Sequence, residues 1–148
     1  MKYVLEDSVR GTIGAEKFRS AIRWRNGILI TDEPEKLGGQ DLGPDPFTLL
    51  LSSLVSCTLA TLRMYIDHKD LNIKVITVEA NMFHKLESSG PVLLIERSIS
   101  LENVPDPEMQ QRHIRIAESC PISKLLKGDI KITTEMNSEP AATGEDQT

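Results

Sequence analysis

From Pro46 to about Lys69 the chain holds no further glycine or proline, and its apolar residues fall on nearly every face of an α-helix. They are Phe47, Leu49, Leu50, Leu51, Leu54, Val55, Leu59, Ala60, Leu62, Met64 and Ile66. A helix that is apolar all round is buried all round, so the other elements have to wrap about it. Aromatic residues make up only 4% of the 148, which leaves Leu, Ile and Val to build the core. A chain of this size struggles to cover such a helix unaided, and that points to an oligomer.

The flanking segments read as strands and short helices. Phe18, Ser20, Ile22 and Trp24 alternate ahead of Asn26-Gly27, and Ile28-Leu29-Ile30 follows, the pattern of an antiparallel hairpin with a type I′ turn at Asn-Gly. Tyr3 to Ile13 is interrupted by Gly11 and is expected to supply one or two short strands. Residues 32–46 hold three prolines and three glycines, a long loop of the kind that carries function. Alternation over 76–82 and 92–102, joined by Ser88-Ser89-Gly90-Pro91, predicts a second hairpin. Asp106-Pro107-Glu108 is a helix start, with Met109, His113, Ile116 and Ala117 as its inward stripe and Cys120-Pro121 as its end. A short helical piece over 123–127 stops at Gly128, after which Ile130 and Ile132 alternate with Lys131 and Thr133 as a last strand. The order predicts an α+β fold in one domain over 1–136, with 137–148 a polar, disordered tail.

Charge and residue counts narrow the function. Seventeen Lys plus Arg against 22 Asp plus Glu give a net charge of −5, a field that repels nucleic acid. Two cysteines and three histidines, without CxxC or HxxxH spacing, fit no zinc site, and no glycine-rich phosphate loop or GxSxG elbow is present. No metal, cofactor or nucleic-acid partner is expected. No apolar run is read as reaching the ~20 residues that cross a bilayer, and Glu6 and Asp7 interrupt any signal peptide. The expectation is a cytoplasmic protein without a membrane partner.

Chemistry rests on Cys57 and Cys120. Free cysteine is often a small buried hydrophobe, but Cys57 stands among Ser52, Ser53, Ser56, Thr58 and Thr61, hydroxyls that an apolar core has no need of and a thiolate can use. Cys120, at a helix C-terminus, is expected to be disfavoured as a thiolate by the helix dipole, which makes Cys57 the lower-pKa nucleophile. Arg63 lies roughly 1.7 turns beyond Cys57, off its face, and reads as a solvated or subunit-bridging charge. His113 reads as a packed core histidine, and His68 and His84 as surface residues.

Leu37-Gly38-Gly39, Gly43-Pro44-Asp45-Pro46 leading into Leu49-Leu50-Leu51 and Cys57-Thr58, Leu62-Arg63-Met64-Tyr65, and Ile116-Ala117-Glu118-Ser119-Cys120-Pro121-Ile122 together resemble the OsmC/organic hydroperoxide resistance (Ohr) family. The resemblance implies an intertwined α+β homodimer, with antiparallel sheets around a long buried central helix and active sites at the subunit interface. It also implies thiol-dependent reduction of organic hydroperoxides. By position Cys57 resembles the peroxidatic residue, which becomes a sulfenic acid, and Cys120 the resolving one, which closes a disulfide; a dithiol reductant of unknown identity would reopen it. Phe47, Leu50 and Leu54 are the candidate apolar substrate pocket. In the peroxidases a Glu just after the loop proline pairs with an N-terminal Arg beside the thiolate; here Pro46-Phe47-Thr48 carries no carboxylate. That departure keeps open an alternative, a ligand-binding or redox-sensing dimer without peroxidase activity.

Overall fold

The computed structural model describes residues 2–137. Three antiparallel strands come first: β1 (Arg10–Ile13), β2 (Ser20–Trp24) and β3 (Gly27–Thr31), in that order across the sheet. The 23-residue helix α1 (Pro46–His68) follows, then the hairpin β4 (Ile76–Glu87) and β5 (Gly90–Leu101), and the helices α2 (Pro107–Glu118) and α3 (Pro121–Lys127). Antiparallel strands with segregated helices make this the expected α+β class.

Local chemistry sets the helix starts. Asp45 caps α1, accepting from the backbone N–H groups of Phe47 at 2.9 Å and Thr48 at 3.1 Å, while Pro46 occupies the first turn. Asp106 does the same for α2 through Glu108 N–H at 3.2 Å, ahead of Pro107. The preceding loop is organised by Asp32, only 2% exposed, whose carboxylate accepts from the N–H groups of Glu33, Gln40 and Leu42 at 2.8, 3.2 and 3.3 Å. Burial pushes this carboxyl up, but the three donors outweigh it and hold it below the usual range. The loop lies so close on β3 that a Cβ at Gly43 would collide with the Ile30 carbonyl.

Three expectations need correction. The turn between β2 and β3 is Arg25-Asn26, because Trp24 pairs with Gly27 and neither Asn26 nor Gly27 has the positive φ of a type I′ turn. Residues 130–133 form no strand: Ile132 is 85% exposed, and no neighbouring strand offers a ladder. Finally, α1 is long and apolar enough, by length and composition, to cross a membrane, contrary to the reading that no run reaches that size; a packed core helix meets the same criterion. The tail read as disordered lies, beyond Asn137, outside the described residues.

Nor is α1 buried all round within one chain. A single stripe, Leu54, Thr58, Leu62 and Ile66, is buried at helical spacing. It packs on β4, α2 and α3, with Leu62 against Val78 and Ala117, and Ile66 against Ile73 and Val104. Phe47 and Met64, at 67% and 73% exposed, stand outside this packing. His113 is a core residue, its Nδ1 2.7 Å from the Met109 carbonyl and its ring edge-on to Tyr65, whereas His68 and His84 are exposed. Arg63 ties α1 to the following loop by donating to the Ile73 carbonyl and pairing with Asp67 at 3.4 Å.

Candidate functional site

The α2–α3 junction turns the chain sharply at Cys120-Pro121. Although Cys120 follows the end of α2, its backbone is extended and its sulfur faces the next helix as the N-cap of α3, accepting from Ser123 N–H at 3.3 Å. The expected dipole effect therefore has the opposite sign: the thiol lies at a helix start, where an anion is favoured. Ser123 Oγ lies 3.1 Å from the sulfur and Thr58 Oγ1, on α1, 3.9 Å from it. Burial of this fully enclosed thiol raises its pKa, but the Ser123 hydroxyl, the Ser123 N–H, Thr58 and Cys57 outweigh that and hold it at about 7. The two cysteines that sequence singled out are thus neighbours, with Cys57 half-buried and Cys120 fully buried.

The hydroxyls around Cys57 divide differently from the expectation. Ser53 and Ser56 turn back onto the α1 backbone, at Leu50 O (2.6 Å) and Ser53 O (3.2 Å). Of the helix hydroxyls, Thr58 is the one that reaches the site, and it serves the Cys120 side. Sequence reasoning missed Arg97 of β5, whose Nη1 donates to Thr58 Oγ1 at 2.9 Å and Ser123 Oγ at 2.7 Å and lies 4.0 Å from Cys120 Sγ. Its signal was present: positions 93, 95, 97, 99 and 101 share one face of a strand, and Arg97 is the charge among Leu93, Ile95, Ile99 and Leu101.

Arg97 and Ser123 also line a cavity of about 560 Å³, walled by Leu54, Leu93, Ile95, Ile99, Ile114 and Leu126, with Ser98, Glu118 and Lys127 completing it. Of the three residues expected to form a pocket, Leu54 lines this cavity; Phe47 and Leu50 stand on exposed positions in the first turns of α1. The size suits a small organic molecule, and the walls suit an apolar one.

The titration of Cys120 has a measurable consequence. An unfolded thiol ionises near 8.5, so a folded value near 7 adds stability that is complete above the unfolded value and is lost as pH falls through 7. Relative to the Cys57→Ser/Cys120→Ser double variant, Cys57→Ser should gain on the order of 2 kcal/mol in urea unfolding between pH 6 and pH 9. A flat difference would show that Cys120 is not ionised preferentially in the folded state.

Residues 38–135 match the model of the OsmC-like protein family. No curated protein matches the sequence. Among solved structures, the chain resembles a Psychrobacter arcticus protein provisionally described as an osmotic stress induced and detoxification response protein, at TM-score 0.68 and 20% identity, with 84% of this chain and 91% of that one covered. An organic hydroperoxide resistance protein from Elizabethkingia anophelis gives TM-score 0.63 and 23% identity, covering 87% and 94%. One from Bacillus subtilis gives 0.59 and 18%, covering 83% and 93%. At such identities the likeness is one of fold, but the family match spans more than half of the chain: it belongs to the OsmC-like family.

Proposed function

We propose that the chain reduces organic hydroperoxides, with Cys57 and Cys120 as its redox pair. The observation that carries this reading is the meeting of the two thiols, distant in sequence, beside residues that line an apolar cavity. Organic hydroperoxide resistance proteins among the structures of like fold support it.

Cys57 is the more accessible sulfur and takes the first step. Its proton passes to the adjacent Cys120 thiolate. The Cys57 thiolate attacks the distal peroxide oxygen, so that an S–O bond forms, the O–O bond breaks and an alkoxide leaves to take a proton from water. Cys120 then attacks the sulfenic sulfur; the S–S bond forms, and hydroxide departs with the Cys120 proton as water. The disulfide returns to two thiols by exchange with a dithiol reductant, as suits a transient bond in a reducing cytoplasm. Stopped-flow mixing of reduced protein with cumene hydroperoxide tests this: one equivalent of peroxide should remove two thiols, and unchanged thiols at millimolar peroxide would sink the reading.

A second reading, a ligand-binding or redox-sensing dimer without peroxidase activity, draws on the complete burial of Cys120 and the missing carboxylate at Phe47 and Thr48. The same mixing experiment separates the two, because only the first consumes peroxide.

In either case the working unit is a homodimer. The sheet β1–β3 packs chiefly within itself, and α1 leaves Phe47 and Met64 uncovered. A second copy would cover both surfaces and bury the outer faces of α1. Sedimentation equilibrium should give a dimer at micromolar concentration; a folded monomer there would refute it.

A further inference from the structure

We propose that Arg97 is the positioning residue that keeps Cys120 the anionic member of the cysteine pair, acting through Ser123. This deepens the thiol-pair reading given above and rests on it for the importance of Cys120, though not for the identity of the oxidant.

The proton inventory carries the argument. A guanidinium has donors and no acceptor, so both Thr58 Oγ1, at 2.9 Å, and Ser123 Oγ, at 2.7 Å, accept from Arg97 Nη1. Thr58 spends its own hydrogen on the Leu54 carbonyl at 2.7 Å. Cys120 Sγ accepts from the Ser123 N–H at 3.3 Å, with Arg97 Nη1 4.0 Å away, and as a thiol it donates to Ser123 Oγ at 3.1 Å. Two donors converge on one sulfur. A neutral thiol points its hydrogen at an oxygen that already accepts from the guanidinium, whereas a thiolate keeps both of its donors and relieves that oxygen of the second one.

Charge points the same way. Among the described residues no carboxylate pairs with Arg97, and Cys120 is fully buried within 4.0 Å of its Nη1. A half-buried cation lacking a carboxylate favours an anion at such a distance. Of the titratable groups on neighbouring elements, Cys57 of α1 interacts with the sulfur, and Glu118 of α2 and Lys127 of α3 lie on the wall of the cavity that Arg97 lines. Arg97 thus places a cation from β5 beside the buried sulfur. It does so for the second cysteine of the pair.

The experiment is a pH titration of thiolate absorbance at 240 nm in the Cys57→Ser background, which isolates Cys120 and needs neither peroxide nor access to the buried sulfur. Adding Arg97→Gln should lower the thiolate fraction at pH 7 about tenfold. Ser123→Ala should lower it severalfold, and Arg97→Lys should recover part of the loss, since an ammonium keeps the charge without the fork. An unchanged midpoint in Arg97→Gln, with the fold intact by circular dichroism, overturns the proposal. Should Arg97→Gln not fold, unchanged midpoints in Arg97→Lys and Ser123→Ala overturn it equally. A shifted midpoint in a protein that ignores cumene hydroperoxide would uphold Arg97 while refuting the peroxidase reading.

Discussion

Cys57→Ser protein will consume no cumene hydroperoxide in stopped flow, with a loss of at least ~10³-fold, whereas Cys120→Ser will complete one turnover and stop. A hydroxyl is a far weaker nucleophile toward a peroxide oxygen than a thiolate, so the first step does not survive the change. Access decides which sulfur takes that step: Cys57 is half-buried and Cys120 is 0% exposed. Without Cys120 the sulfenic acid on Cys57 has no partner for a disulfide, and it should accumulate as a dimedone adduct detectable by mass spectrometry. A dimedone adduct on Cys120 in the Cys57→Ser protein would exchange the two roles. This order is set by access and does not depend on the lowered pKa of Cys120.

Leu62→Ala should cost about 3 kcal/mol of stability, within the range for buried leucines, out of a total of roughly 5–15 kcal/mol. Leu62 is fully buried at the centre of the stripe that joins α1 to Val78 of β4 and Ala117 of α2, with Leu59, Ile76 and Ile99 packed around it. Those neighbours belong to four different elements, so the vacated volume cannot close by moving one side chain. It also lies one turn from Thr58, so relaxation around it would disturb the site. Urea unfolding at fixed protein concentration is the measurement, since dimerisation would make stability depend on concentration. A loss below about 1 kcal/mol would mean that the core is centred elsewhere.

Features written in adjacent residues were the most legible. Asp45-Pro46 and Asp106-Pro107 start helices because a capping carboxylate and a proline with preset φ are both local effects. The hairpin at 76–102 was equally plain, but β4 runs on to Glu87, where exposed residues such as His84 and Leu86 add no apolar alternation to read. The strand expected at 130–133 failed for the opposite reason: alternation was present, but a strand needs a partner, and one chain offers none there. The cysteine pair was found, but the electrostatics of Cys120 were misjudged because a residue between two helices can be read as the end of one or the start of the next. Backbone conformation decides between them, and Cys120 is extended. Arg97 was overlooked because an arginine inside a strand resembles a solvated charge until the partner helices are in place.

The sulfur of Cys120 performs two tasks at once, and they compete. As a reduced anion it accepts the Ser123 N–H that opens α3, a helix of seven residues that is too short to persist on propensity alone. Sulfur bound in a disulfide carries no charge and is a poor acceptor, so oxidation would withdraw the anchor of this helix. The chain would then loosen at the place where the disulfide is otherwise sealed from solvent. Were the two thiols joined, the path so opened would be the one by which a dithiol reaches the sulfurs, and it would close again on reduction. The order of α3 would then be a record of the oxidation state beneath it, and amide exchange at Ser123 would let that record be read.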